Sequence, residues 1–224
     1  MAYDVILMDI DNTLLDFNAG TRESLTGLLG RFGLTLTPEL EQRFHTINNR
    51  LWTAYEHGEI PKEAIFPSRF REFLGELGVE TDPLEANALF ARGLQQSAVL
   101  MPGCMELLAA LQGKYRLFAV TNGVVTTQTP RLEKAGFLPF FEQIFISEAM
   151  GCKKPEKEFF EKVFAAIGPV DRTRCIILGD SLTSDMQGGR NAGITTCFLG
   201  ENTGDPRCDF VIQSLPEFLS ILQA

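Results

Sequence analysis

Hydrophobic residues follow two different rhythms along this chain. Six short apolar runs, at residues 5–8, 116–120, 143–146, 175–178, 195–199 and 210–212, are rich in branched side chains, and each ends in a polar or glycine-containing turn. Continuous apolar runs of this length suit strands covered on both faces. Stretches with helical spacing separate most of them, such as Met105, Leu108 and Leu111, or Phe159, Val163 and Ala166. Strands alternating with helices predict βαβ units and a mainly parallel sheet.

The second rhythm occupies residues 17–98, where strand signals vanish. Leu25, Leu28, Leu29 and Phe32 recur at helical spacing, as do Phe44, Ile47, Leu51 and Tyr55, then Phe70, Phe73, Leu74 and Leu77, then Leu84, Ala88 and Ala91. Gly33, Gly58 and Gly78 fall where such helices would stop. The pattern predicts an α/β fold with a Rossmann-like, mainly parallel sheet core built from residues 1–16 and 99–224 and an inserted helical cap domain at 17–98. Pro102-Gly103 marks the return to the core. A helical module entered directly after the first strand is placed to act as a lid.

Composition narrows the partners. The chain has 224 residues, 45% of them hydrophobic, enough for a sizeable core, and no apolar run approaches the length of a membrane span. Its net charge of −9 argues against nucleic acid polymers and anionic membranes. A small anionic substrate stays open, because a bound cation can reverse the local field. The run at 5–8 is too short for a signal h-region and leads straight into acids. The five cysteines are odd in number and form no C-x-x-C pair, so they are expected as reduced thiols in a cytoplasmic protein, a monomer or homodimer.

In open parallel sheets ligands bind outside the carboxyl ends of the strands. Four polar turns at such ends carry unusual chemistry. Asp9-Ile10-Asp11-Asn12-Thr13 sets two carboxylates at the end of a buried strand, a costly place unless something compensates them. These residue types also form turns and caps. A calcium loop does not fit: Thr13 holds its fifth position, Leu14 replaces the glycine at its sixth, and a strand precedes it. Thr121-Asn122-Gly123 alone reads as a turn. Lys153-Lys154-Pro155 alone reads as solvated lysines and a helix-starting proline. In Gly179-Asp180-Ser181-Leu182-Thr183-Ser184-Asp185, the last acid alone would suit a helix N-terminus.

In this order, the acid pair, Thr-Asn, Lys-Pro and Gly-Asp-x-x-x-x-Asp together resemble the signature of the haloacid dehalogenase superfamily of phosphohydrolases, over the whole chain and with a helical cap between the first and second motifs. The resemblance implies that Asp9 is a nucleophile forming an aspartyl-phosphate. Asp11 would be general acid for the leaving alcohol, then base for water. Carboxylates in close quarters couple so that one titrates higher, which suits this division. By the same resemblance Mg²⁺ is held by Asp9, the backbone carbonyl of Asp11 and Asp180, with Asp185 and Thr13 in support. Thr121 and the Asn122 amide would hydrogen-bond phosphoryl oxygens. Lys154 would balance their charge; it is chosen over Lys153 because it directly precedes Pro155.

The stretch L-W-x-x-Y-x-x-G-x-I from Leu51 to Ile60, with Arg69-Phe70 and Ile146-Ser147-Glu148, looks like the bacterial pyrimidine 5′-nucleotidases of the superfamily. That resemblance implies a small-molecule phosphate monoester substrate such as UMP, dUMP or dTMP, with Trp52, Asn48 and Arg69 as substrate contacts. Each aromatic also has a simpler place in a cap core. The main alternative is a phosphatase for sugar or small-acid phosphates such as phosphoglycolate, or a phosphomutase on the same core. A dehalogenase needs neither Asp11 nor Asp180, and a phospho-receiver domain is about half this length. His45 and His57 lie in the cap with no acidic cluster at ligand spacing and read as surface or cap packing.

Overall fold

In the computed structural model, which describes residues 2–223, the six apolar runs become β1 (Val5–Met8), β2 (Arg116–Thr121), β3 (Gln143–Ile146), β4 (Cys175–Gly179), β5 (Thr195–Leu199) and β6 (Phe210–Ile212). They form one sheet in the order β3-β2-β1-β4-β5-β6, with every pairing parallel. The fold is the Rossmann-like α/β architecture expected from the pattern. The chain divides into two compact units, Met1–Phe17 with Val99–Ala224, and Asn18–Ala98.

The helical unit holds most of α1 (Phe17–Gly30) and all of α2 (Pro38–Glu56), α3 (Lys62–Glu76) and α4 (Pro83–Gln96). Two of these begin on a side-chain cap followed by proline: Thr37 Oγ1 accepts from Leu40 N, and Asp82 Oδ1 from Leu84 N. Phe44 sits at the centre, its ring centroid 5.6, 5.4 and 5.2 Å from those of Phe70, Phe73 and Phe90. Such aromatic contacts add about 0.5–1.5 kcal/mol each beyond area burial.

The sheet unit adds α5 (Cys104–Leu111), α6 (Val125–Lys134), α7 (Ser147–Met150), α8 (Lys157–Ile167), α9 (Gln187–Ala192) and α10 (Leu215–Gln223). Alternate strand residues face opposite layers. Ile6, Met8, Ala119 and Leu178 join Leu107 and Leu108 of α5 and Phe218 of α10 on one side. Val5, Leu7, Val120 and Ile177 join Phe159, Phe160 and Val163 of α8 on the other. Each fully buried aliphatic or aromatic side chain contributes about 1.5–3 kcal/mol. All five cysteines are free thiols, four of them buried. Among the described residues no helix is long and apolar enough to cross a membrane.

Candidate active site

The strand order reverses direction between β1 and β4, and ligands bind parallel sheets outside the carboxyl ends at such a point. Asp9 stands one residue beyond β1 and still donates its N–H to Leu178 O of β4, at 2.9 Å. The chain then coils tightly. Ile10 O accepts from the N–H of Leu14 and of Leu15, each at 2.9 Å. Asn12 takes a left-handed backbone, φ 58°, which asparagine tolerates better than most residues, and its Oδ1 accepts from Phe17 N at 3.2 Å. This coil presents Asp9, Asp11 and Thr13 on one short loop.

Lys154, from the loop between α7 and α8, is almost fully buried, and its three N–H groups are all used. Its Nζ donates to Asp9 Oδ1 at 2.6 Å, Asp185 Oδ1 at 2.7 Å and Val120 O at 2.8 Å. The other Asp9 oxygen accepts from Thr13 Oγ1 at 3.2 Å. Asp185 lies in a single turn of π-helix, Leu182–Met186, and its Oδ2 accepts from Ser181 N at 3.2 Å. A Cβ at residue 179 would come within 2.3 Å of the Asp185 carboxyl, so the glycine of Gly-Asp is where that carboxyl lies.

The Asn122 side chain meets the backbone of Lys154. Its Nδ2 donates to Lys154 O and its Oδ1 accepts from Lys154 N, both at 2.9 Å. The side chain clamps the lysine's backbone, beside the cis Lys154–Pro155 bond. Pro155 stands two residues ahead of α8 and does not begin it.

Carboxyl oxygens of Asp9, Asp180 and Asp185 all lie within 4.8 Å of one another. Three carboxyls therefore share one ammonium. Burial raises the Asp9 carboxyl to about 7 against the opposing pull of Lys154, with Asp185 adding to the rise. Burial and then the Asp9 and Asp185 charges push Asp180 well above the usual carboxylate range. For Lys154 burial works downward, but Asp185 and Asp9 outweigh it and hold the ammonium above its ordinary value. A compact set of hard oxygen donors with surplus negative charge fits a divalent cation of the Mg²⁺ type.

Asp11 is half-buried and points elsewhere: Arg131 Nη1 donates to its Oδ1 and Gln128 Nε2 to its Oδ2, the latter at 2.7 Å. Neither partner stood out in the sequence. A usable signal existed, because α6 carries only Val125 and Leu132 as large hydrophobics. Its inward face is Thr127, Gln128, Arg131 and Leu132, and a helix that buries a mostly polar face requires specific partners for it.

The expected substrate residues fall within the helical unit. Arg69 and Asn48 are buried there and meet each other, Arg69 Nη1 donating to Asn48 Oδ1 at 3.0 Å and Nη2 to Asn87 Oδ1 at 2.6 Å. The guanidinium carbon lies 4.7 Å from the Phe90 ring centroid and 5.2 Å from that of Phe70. These contacts make Asn48 and Arg69 part of the unit's interior. Trp52 is half-buried, edge-on to Tyr55 with centroids 5.8 Å apart.

A Rossmann-like sheet with a strand-end carboxylate, a buried lysine and two further acids defines a class of α/β hydrolase. Residues 3–193 match the model of the haloacid dehalogenase-like hydrolases, and the chain belongs to that family. A crystal structure of the HAD-hydrolase YfnB of Bacillus subtilis bound to magnesium is 36% identical, with a TM-score of 0.94 and full coverage (100%) of both chains. Pyrimidine 5′-nucleotidase PynA of Streptococcus pneumoniae is 34% identical, covering 99% of this chain and 96% of its own. Pyrimidine 5′-nucleotidase YjjG of Escherichia coli is 35% identical, covering 89% of this chain and 87% of its own.

Proposed function

We propose that this chain is a Mg²⁺-dependent phosphoric monoester hydrolase that acts through an aspartyl-phosphate on nucleoside 5′-monophosphates, pyrimidines preferred. The observation that carries the reading is the Asp9 carboxylate at the end of β1, held between Lys154 Nζ and Thr13 Oγ1 beside Asp180. Similarity to PynA and YjjG supports the nucleotide preference, and the magnesium-bound YfnB structure supports the metal. The net charge of −9 agrees with a small-molecule monoester and not a nucleic acid polymer or membrane as partner. We place the enzyme in the cytoplasm, as a monomer or homodimer.

Asp9 attacks phosphorus as the bond to the leaving oxygen breaks, and Asp11 gives that oxygen its proton. Asp11 then takes a proton from water, whose oxygen attacks the phosphoaspartate. Inorganic phosphate leaves and Asp9 is regenerated. Asp9, Asp180 and the Asp11 carbonyl, supported by Asp185, would hold Mg²⁺, which supplies charge neutralisation for an anionic substrate. Lys154 and the Thr121 hydroxyl offset charge on the equatorial oxygens, and Asn122 acts through the Lys154 loop. In the helical unit, Asn48 and Arg69 shape substrate choice from within by ordering the helix that carries Trp52.

The test is phosphate release with Mg²⁺ from UMP, dUMP, dTMP, CMP, AMP, GMP, phosphoglycolate and hexose phosphates, with Asp9→Asn in parallel. Faster release from the pyrimidine nucleotides, lost in Asp9→Asn, is expected. Release confined to sugar or acid phosphates would keep the mechanism and discard the nucleotide assignment. Undiminished turnover by Asp9→Asn would discard the mechanism.

A further inference from the structure

Helix α6 carries a hydrogen-bond circuit whose polarity can be read group by group. A guanidinium only donates. Arg131 Nη1 donates to Asp11 Oδ1 and, at 2.9 Å, to Gln128 Oε1. The second contact decides which end of the Gln128 amide is oxygen: the reverse orientation would face two donors together and turn Oε1 onto the Asp11 carboxylate. Gln128 Nε2 therefore uses both its protons, one on Asp11 Oδ2 at 2.7 Å and one on Thr121 Oγ1 at 2.9 Å. Thr121 Oγ1 also accepts from Gly123 N at 3.0 Å. A hydroxyl oxygen has two lone pairs, and both are now filled. What Thr121 retains is its proton, which it can only give.

Burial holds this circuit in place. Gln128 and Arg131 are each 1% exposed. A Cβ at residue 123 would lie 2.7 Å from Gln128 Nε2, so the glycine of Thr121-Asn122-Gly123 is the space that the Gln128 amide occupies. A threonine free to rotate could present either a proton or a lone pair to an incoming oxyanion, and only the proton helps. Donors fixed before the reaction need no reorganisation during it.

We propose that Gln128 and Arg131 are positioning residues for phosphoryl binding: Arg131 fixes the Gln128 amide, and Gln128 makes Thr121 an obligate donor while pinning the Asp11 carboxylate. The inference rests on the phosphatase reading above. The substrate for its test is p-nitrophenyl phosphate, whose leaving group departs without a proton; release of p-nitrophenolate in a single turnover, with enzyme in excess, precedes the water step and so isolates the Thr121 branch from Asp11. Gln128→Glu keeps the shape but places an acceptor where Nε2 donated. Gln128→Met keeps bulk and removes the donor, and serves if the glutamate variant fails to fold. The expected loss in that single-turnover rate is about a hundredfold for Gln128→Glu and about tenfold for Gln128→Met, with the half-saturating concentration changed less than about threefold. Adding Gln128→Met to Thr121→Val should cost nothing beyond Thr121→Val alone, since one effect acts through the other. Losses that multiply, or a wild-type single-turnover rate in Gln128→Met, would overturn the proposal. Absence of Mg²⁺-dependent turnover by the unsubstituted protein would instead remove the phosphatase reading, and this inference with it.

Discussion

Lys154 and Arg69 are both buried cations, one in each unit, and their surroundings drive them in opposite directions. Lys154 meets two carboxylates and a carbonyl, and Asp185 and Asp9 raise it despite its burial. Arg69 meets two neutral amide oxygens and aromatic rings, its Nε has no partner among the described residues, and burial lowers it to about 9. The carboxyls around Lys154 exceed the charge it can offset, which favours a further cation among them. The groups around Arg69 carry no charge to exchange, so its part is to hold α2, α3 and α4 together through Asn48, Asn87 and the phenylalanines. Burial of a cation by itself therefore distinguishes nothing; the charge of its partners does.

The same substitution at both positions tests the contrast most sharply. Lys154→Met should lower kcat by about a thousandfold or more, because the carboxylates around it lose their counter-charge and the phosphoryl oxygens lose theirs. Arg69→Met should leave kcat within about threefold of wild type but strand the Asn48 and Asn87 oxygens. A loss of about 2–3 kcal/mol is expected there, read as a Tm fall of about 5–10 °C. Near-normal turnover in Lys154→Met, or an unchanged Tm in Arg69→Met, would break the comparison.

Acidity offers a second contrast. The folded Asp9 carboxyl titrates near 7 against an ordinary value of 3.8. The folded chain thus binds more protons than the unfolded chain between those values. The stability this contributes is fully present below pH 3.8 and is lost as pH rises through about 7. Metal-free protein should melt at progressively lower temperature from pH 5 to pH 8 by this contribution, compared across the two pH values with Asp9→Asn as reference. Added Mg²⁺ should raise Tm more at pH 8 than at pH 5, because protons and the cation compete for the same oxygens. Equal Mg²⁺ shifts at both values would argue against binding at Asp9. The smallest effect expected is at Trp52. Trp52→Ala should reduce the kcat/KM preference for UMP over a hexose phosphate by about tenfold, the scale of one base–aromatic stacking contact. An unchanged preference would remove Trp52 from substrate choice.

Much of the architecture was legible before any coordinates. The strand runs at 5–8, 143–146, 195–199 and 210–212 have the same limits in the sheet, and those at 116–120 and 175–178 each extend by one residue, to Thr121 and Gly179. Gly33, Gly58 and Gly78 take left-handed backbones just past the ends of α1, α2 and α3. Asp9, Lys154, Asp180 and Asp185 were singled out by the order of four motifs and its resemblance to a family signature, and the structure gathers them. What escaped notice were Gln128 and Arg131, whose one signal is a helix with only two large hydrophobic residues.

The sequence alone determined the elements, their alternation and the acids at strand ends, because periodicity and turn chemistry are local properties that act over a few residues. Only the tertiary structure decided what each polar group touches. Lys154 reaches Asp9 across 145 positions of chain, and Arg131 reaches Asp11 across 120. It also turned the Asn122 side chain onto the Lys154 backbone and enclosed Arg69 among phenylalanines. Such pairings follow from how strands and helices stack, and a buried donor or acceptor takes whichever partner that stacking brings within reach.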